Sequence, residues 1–154
     1  MTHSHQYTIQ LLWTGAEHGP TVSYERYSRE YEYRAAGKPR VRGSADPHFR
    51  GDPSLYNPEE LLVAALSSCH LLSYLAECAR DGISVLTYED DACGVMAVKD
   101  RRLRFTEVVL HPRVVIAPGN DLARARELHH VAHDLCFIAN SVDFDVRNEP
   151  SVSY

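Results

Sequence analysis

The longest apolar run of the chain lies between Asn57 and Ile83, NPEELLVAALSSCHLLSYLAECARDGI. From Leu61 to Ala79 nearly every residue is apolar or small, which predicts a helix enclosed on most sides rather than one with a single wet face. Asn57 suits the N-cap, Pro58 the first helical position, and Glu59 and Glu60 the positive end of the helix dipole, while Asp81-Gly82 marks the stop. A membrane span would have about this length. However, His70, Glu77, Ser67, Ser68 and Ser73 interrupt the run and Glu59, Glu60 and Arg80 crowd its ends, so insertion would be costly and a core helix is the better account.

Around this helix the periodicity switches to two. Tyr7 to Trp13 alternates as a strand, Gly15 to Pro20 supplies a turn, and Thr21 to Tyr24 is expected to return antiparallel. Ser28 to Arg34 reads as a third strand of the meander, with Tyr31 and Tyr33 on one face and Glu30, Glu32 and Arg34 on the other. Six glycines and prolines between Gly37 and Tyr56 predict a long ordered loop without regular elements. After the helix, Ile83 to Val98 and Leu103 to Ile116 are extended runs joined by the polar turn Lys99 to Arg102, a long hairpin. Asn120 or Asp121 caps a second helix with Leu122, Ala125, Leu128, Val131, Ala132 and Leu135 at helical spacing, ending near Ile138 to Asn140. Val142 to Val146 alternates as a closing strand.

A chain of 154 residues is most simply one domain, with material for one core. A fully enclosed long helix would ask for more cover than one such chain supplies, so a homodimer is expected. The net charge of −5, from 16 basic and 21 acidic residues, gives no electrostatic reason to expect nucleic acid or an anionic membrane as partner. No apolar run follows a charged region in Met1 to Gln10, so no signal peptide is visible and a cytoplasmic location is expected. In that compartment four cysteines do not read as a static disulfide framework.

Helical geometry separates the four. Cys78 follows Cys69 by nine residues, about half a turn round the helix, so the two thiols point oppositely. Cys93, beside Gly94 in a strand pattern, reads as a small core residue. Cys69 and Cys136 remain, each next to polar groups: His70 for the first, His133 and Asp134 for the second. Four packed free thiols would be the plainest account of such residues. A metal site is the competing chemistry, because His129 and His133 are spaced i, i+4 with Cys136 three further on and His130 adjacent. His129 to His133 lacks the glutamate of a metalloprotease helix, and no second cysteine pair or carboxylate cluster accompanies it, so neither a metal nor a cofactor is assigned.

Two segments carry a more specific signal. Asn57-Pro58-Glu59-Glu60-Leu61-Leu62, followed by small residues and by Cys69 ten positions after Glu59, resembles the N-P-E-E/Q-L segment of the family of osmotically inducible protein C (OsmC) and the organic hydroperoxide resistance protein (Ohr). Ala132-His133 and Cys136 to Ser141 resemble the segment holding that family's second cysteine. The element order is similar too, so the resemblance spans nearly all of the chain. It implies an α+β fold of the OsmC type, an antiparallel sheet wrapped around a long buried central helix in an intertwined homodimer.

The resemblance further implies a thiol peroxidase acting preferentially on organic hydroperoxides. By motif position Cys69 would be the peroxidatic thiolate, oxidised to a sulfenic acid, and Cys136 would resolve it as a disulfide that a dithiol reductant, lipoyl-bearing proteins being one known type, reopens. An ordinary cysteine titrates near 8.5, so a thiolate at neutral pH needs a cation nearby. The family pairs an arginine with the motif glutamate, here Glu59. Arg50, in the loop before the helix, is the first choice for that arginine and Arg29, on the third strand, the second. Ten residues along a straight helix would hold Glu59 and Cys69 roughly 15 Å apart, so direct contact would need a kink or a neighbouring subunit. His70 and Phe137 stand where the family frequently has an aromatic residue and proline, so substrate preference does not transfer; His70 lies about 100° round the helix from Cys69, a flank neighbour. Ligand binding without turnover, or redox sensing, are the alternatives on the same fold.

Overall fold

A computed structural model of the chain describes residues 4–154. Met1 to His3, part of the stretch read above for a signal peptide, lie outside the described residues. The chain forms two compact units, one ending at Leu61 and one spanning Leu62–Tyr154.

In the first unit β1 (Gln10–Leu12), β2 (Tyr31–Arg34) and β3 (Val41–Gly43) form an antiparallel sheet in that order. The expected strand at Thr21 to Tyr24 is absent, and β1 pairs directly with β2, Leu11 opposite Tyr33. The cause is local: the Trp13 indole N–H donates to the Ser28 carbonyl at 2.8 Å and the Gly15 N–H to the Glu30 carbonyl at 2.9 Å, closing the intervening residues into a loop. The long loop after β2 is more regular than its breakers predict. It contains β3 and a 3₁₀ turn at Pro47–Phe49, capped by the Asp46 carboxylate accepting from the His48 N–H. Tyr31 and Tyr33 share a face as the alternation requires, their rings 5.2 Å apart edge to face.

Helix α1 (Pro58–Arg80) begins with a reciprocal cap. The Glu60 N–H donates to the Asn57 side-chain oxygen at 2.8 Å, and the Asn57 N–H donates to the Glu60 carboxylate at 3.1 Å.

The second unit holds β4 (Val85–Asp90), β5 (Cys93–Lys99), β6 (Arg102–Leu110), β7 (Pro112–Ile116), α2 (Leu122–Asp134), β8 (Asp145–Asn148) and β9 (Ser151–Ser153). The expected long hairpin is present but broken in the middle. β5 pairs with β6 and β4 with β7, because Pro112 brings no N–H to the ladder and the Asp90 carboxylate takes the His111 N–H at 2.7 Å. β8 and β9 add in parallel to β6 and β7, so the sheets are mixed rather than wholly antiparallel. Helix α2 stops at Asp134, short of the expected end, and the closing strand falls later, at Asp145–Asn148.

One core cluster joins Tyr74 and Cys78 of α1 to Val114 and Ile116 of β7 and to Ala125, Leu128 and Ala132 of α2; another joins Leu66 to Val108 and Leu110 of β6 and Val146 of β8. α1 therefore buries Leu66, His70, Tyr74 and Cys78, one stripe at every fourth residue. That corrects the expectation of a helix enclosed on most sides. Leu72 keeps 66% of its surface exposed and Leu75 36%. α1 is long and apolar enough to cross a membrane, yet its buried stripe is a constituent of both clusters.

Gly51 closes the capped turn in the first unit. Its N–H reaches the Asp46 carbonyl at 3.1 Å, and a β-carbon at this residue would overlap the Ala45 backbone. Gly51→Ala is expected to lower unfolding free energy by about 2 kcal/mol or more, as backbone overlap must be relieved by moving the loop. Gly37→Ala, at φ +73° with open space around it, should cost only about 1 kcal/mol. Urea unfolding of the two variants checks the order.

Candidate active site

The thiols singled out in the sequence meet in the second unit. Cys69 projects from the middle of α1 and is half-buried; Cys136 is buried, at 1% exposure. Cys136 is not within a helix as its spacing suggested. It lies two residues past the end of α2, its N–H bonded to the His133 carbonyl at 3.1 Å and its carbonyl accepting from the Asn140 N–H at 3.0 Å. Cys69 is a near neighbour of Cys136 in the fold and adds to the upward shift of its titration. Burial, reinforced by Cys69, pushes the Cys136 thiol up to about 11, while the backbone N–H groups of Ala139 and Ile138 pull the other way. The two thiols therefore differ in access: one is reached from outside, the other is sheltered and held protonated.

The other two cysteines take separate places. Cys78 is in the core, where burial raises its titration. Cys93, expected in the core, is instead exposed at the start of β5.

Of the charged candidates, Glu59 and Arg29 line one cavity of about 410 Å³ in the first unit, together with Trp13, Tyr27, Tyr31 and Phe49. The Arg29 guanidinium lies 3.8 Å above the Tyr27 ring and 4.9 Å from that of Tyr24, and donates to the carbonyls of Tyr24 and Tyr27. Its hydrogen bonds thus go to neutral acceptors, while its charge also acts on the Glu25 carboxylate. The Glu59 Oε2 and the Tyr31 hydroxyl are buried there without a hydrogen-bond partner. Burial first, then Tyr33 and the Glu59 carboxylate, push the Tyr31 phenol up to about 12. Arg50 is exposed, in the left-handed conformation (φ 66°) that ends the 3₁₀ turn, 6.0 Å from the Tyr24 ring and outside the cavity lining. The aromatic lining escaped the sequence reading, although the tyrosine-rich face of β2 was its visible trace.

The histidines resolve differently from a metal motif. His129 and His70 are both buried, and His70 Nε2 lies 3.0 Å from His129 Nδ1. The remaining ring nitrogens, His70 Nδ1 and His129 Nε2, have no partner. The Tyr74 ring stacks on His129 at 3.8 Å between centroids. His130 is exposed and His133 half-buried, and among the described residues no group of three or more histidines, cysteines or carboxylates gathers at metal-binding distance. Burial pushes His70 down to about 4, with His133 adding to the effect and Asp90 opposing it; burial, His70 and His130 push His129 down to about 3. Both rings are neutral at pH 7.

The model of the OsmC-like protein family matches residues 51–149, a span that holds α1, both interacting cysteines and the histidine pair. The chain belongs to the OsmC-like family. An OsmC-like protein of unknown function from Vibrio cholerae superposes with a TM-score of 0.88 at 32% identity, over 96% of this chain and 100% of that one. An organic hydroperoxide resistance protein from Legionella pneumophila superposes at 0.68 with 19% identity, over 98% and 100% of the two chains, which speaks for the OsmC-like fold alone. YmaD of Bacillus subtilis, an uncharacterised protein, is 25% identical over 94 residues, 59% of this chain; the match spans 63% of YmaD, less than two thirds of its length. This OsmC-like chain thus has the family's α+β fold, with three short sheets and two α-helices among the described residues.

The buried histidines make acid stability specific. Their pKa values lie lower in the folded protein than in the unfolded chain, so the unfolded state binds more protons and stability falls as pH drops from about 6.5 toward about 4. Each such proton adds about 1.4 kcal/mol per pH unit to that slope. His129→Asn, which removes one titrating ring, should lessen the slope between pH 6 and 4.5 by about one proton in urea titrations at several pH values; an unchanged slope would contradict the assignment.

Proposed function

We propose that this protein is a thiol peroxidase that reduces organic hydroperoxides with Cys69 as the attacking thiol and Cys136 as the resolving one. The observation that carries the reading is the pairing of a half-buried Cys69 with a sheltered Cys136 beside it. In the first step the Cys69 thiolate attacks the distal peroxide oxygen; the S–O bond forms, the O–O bond breaks, and the alkoxide leaves as alcohol on taking a proton. In the second step the Cys136 sulfur attacks the sulfenic sulfur. Its thiol proton leaves with the sulfenic oxygen as water, and the S–S bond forms. An external dithiol then reduces the disulfide by exchange. A resolving thiol that stays protonated until the sulfenic acid appears does not compete for the peroxide, which suits the upward shift at Cys136.

The thiolate and the developing alkoxide both call for a cation that is always charged. Arg29 serves better than Arg50, because it lines an apolar, aromatic cavity with Glu59 whereas Arg50 is exposed outside it. That lining suits a hydroperoxide with an aryl or long alkyl substituent. Along α1 the ten residues from Glu59 to Cys69 span roughly 15 Å, so one chain's helix does not carry its own glutamate to its own thiol. In this reading the protein works as a homodimer, and Arg29 of the partner subunit supplies the cation. The uncovered Leu72 and Leu75 on α1 give such a partner apolar surface to bury.

Thiol titration before and after one equivalent of cumene hydroperoxide should show the loss of two thiols, with a Cys69–Cys136 bridge in the peptide map. Cys69→Ser should abolish the loss, and Cys136→Ser should accumulate a dimedone-reactive sulfenic acid. Arg29→Gln should slow peroxide consumption at least tenfold and Arg50→Gln less than twofold. Folded protein that loses no thiol would leave ligand binding as the better account.

A further inference from the structure

The pair formed by His70 and His129 has no part in the chemistry proposed above, and its cost is visible. Two imidazoles are taken wholly out of water, one hydrogen bond joins them, and two ring nitrogens are left without partners. Either tautomer leaves one orphaned donor and one orphaned acceptor. Two leucines would fill such a site without that desolvation, so stability alone does not account for it.

Its place in the fold does. His70 is the residue after Cys69 on α1. His129 is on α2, two turns before Cys136, which is tied back to that helix by its N–H to the His133 carbonyl. The register of α2 on α1 therefore sets where Cys136 lies relative to Cys69. Most of what joins these helices is apolar: Tyr74 and Cys78 against Ala125, Leu128 and Ala132. Apolar contacts lose little over small slides, whereas a hydrogen bond weakens steeply with distance and angle. The bond between the rings is such a fixed-length tie, stiffened by the Tyr74 ring stacked on His129 and by the Tyr74 hydroxyl donating to the Ala125 carbonyl at 3.1 Å.

We propose that His70 and His129 are positioning residues, a buried imidazole pair that locks α2 on α1 in the register bringing the Cys136 sulfur to Cys69 for disulfide closure. The proposal rests on the two-cysteine reading for its purpose but not for its test. It separates the steps of turnover, since oxidation of Cys69 needs no contact with α2 whereas disulfide closure does.

Three substitutions at His129 isolate the tie. Asparagine puts an amide where Nδ1 stands, glutamine carries the same group one carbon too far, and leucine removes it. The first measurement is the equilibrium of the Cys69–Cys136 disulfide against dithiothreitol, which reads thiol proximity without any peroxide. His129→Leu and His129→Gln should shift it toward the dithiol at least tenfold, about 30 mV, and His129→Asn less than threefold. The second follows one equivalent of cumene hydroperoxide in stopped flow. In the leucine and glutamine variants sulfenic acid should form within threefold of the wild-type rate and disappear at least tenfold more slowly. If His129→Leu does not fold, the contrast between asparagine and glutamine decides. Equal behaviour of those two, a wild-type equilibrium in the leucine variant, equal slowing of both steps, or failure of all three variants to fold would overturn the positioning role. If the wild type forms no disulfide with hydroperoxide, the peroxidase reading fails, while the dithiothreitol equilibrium still decides this one.

Discussion

The structure hangs on the mismatch between the apolar circumference of α1 and the surface one chain puts against it. The helix starts at a reciprocal Asn57–Glu60 cap and runs for 23 residues, and only the stripe Leu66, His70, Tyr74 and Cys78 is buried. Burying a leucine side chain is worth about 1.5–3 kcal/mol, so leaving two thirds of Leu72 and a third of Leu75 in water is an unmet driving force. A homodimer in which a second chain covers that face would meet it.

The position of each chemical group follows from which stripe of α1 it occupies. Residues on the buried stripe face the mixed sheets and α2, and there His70 and Tyr74 find polar partners across the core. Cys69, one position off that stripe, keeps access to solvent while reaching Cys136 in the turn beyond α2. A shift of one residue along the helix would exchange these environments. The difference between the two thiols is thus a product of helical phase, not of a special local motif.

This phase was legible in the sequence only in part. The extent of α1 was, because its cap, its apolar run and Gly82 act locally, as was the Asp121 cap of α2, whose carboxylate accepts from the Arg124 N–H. Strands whose existence depends on distant partners were less so. Thr21 to Tyr24 alternates like a strand, but the Trp13 and Gly15 hydrogen bonds commit that stretch to a loop; Val41 to Gly43 pairs with β2 despite its neighbouring breakers. Leu135 fits the helical period of α2 yet is 46% exposed, since the helix has already ended. Sheltering of Cys136 therefore comes from a turn that periodicity does not announce. Cys69 and Cys136 stand 67 residues apart, and His70 and His129 59 apart; pairings of that separation are set by how α1 and α2 pack, and spacing alone does not encode them. Helical geometry set Cys69 and Cys136 apart from the other two cysteines, and family resemblance made them a working pair. For the arginine, position in a loop pointed to Arg50, whereas the cavity is built around Arg29, because two backbone carbonyls and the Tyr27 ring fix that guanidinium in place.

The histidine beside Cys69 sharpens the electrostatic problem of the proposed reaction rather than solving it. In many thiol enzymes an adjacent imidazolium stabilises the thiolate, and His70 follows Cys69 directly. Here burial holds both His70 and His129 neutral down to pH values at which the unfolded chain is already protonated, so near pH 7 neither ring offers a charge. Moving the charge onto a histidine would require a proton in the core, at the expense of fold stability. A guanidinium is free of that conflict: it stays charged when stacked on an aromatic ring and bonded to carbonyls, as Arg29 is. If Cys69 reacts as a thiolate, as proposed, an arginine suits its cation better than His70 does, which leaves His70 free for the positioning role proposed for it.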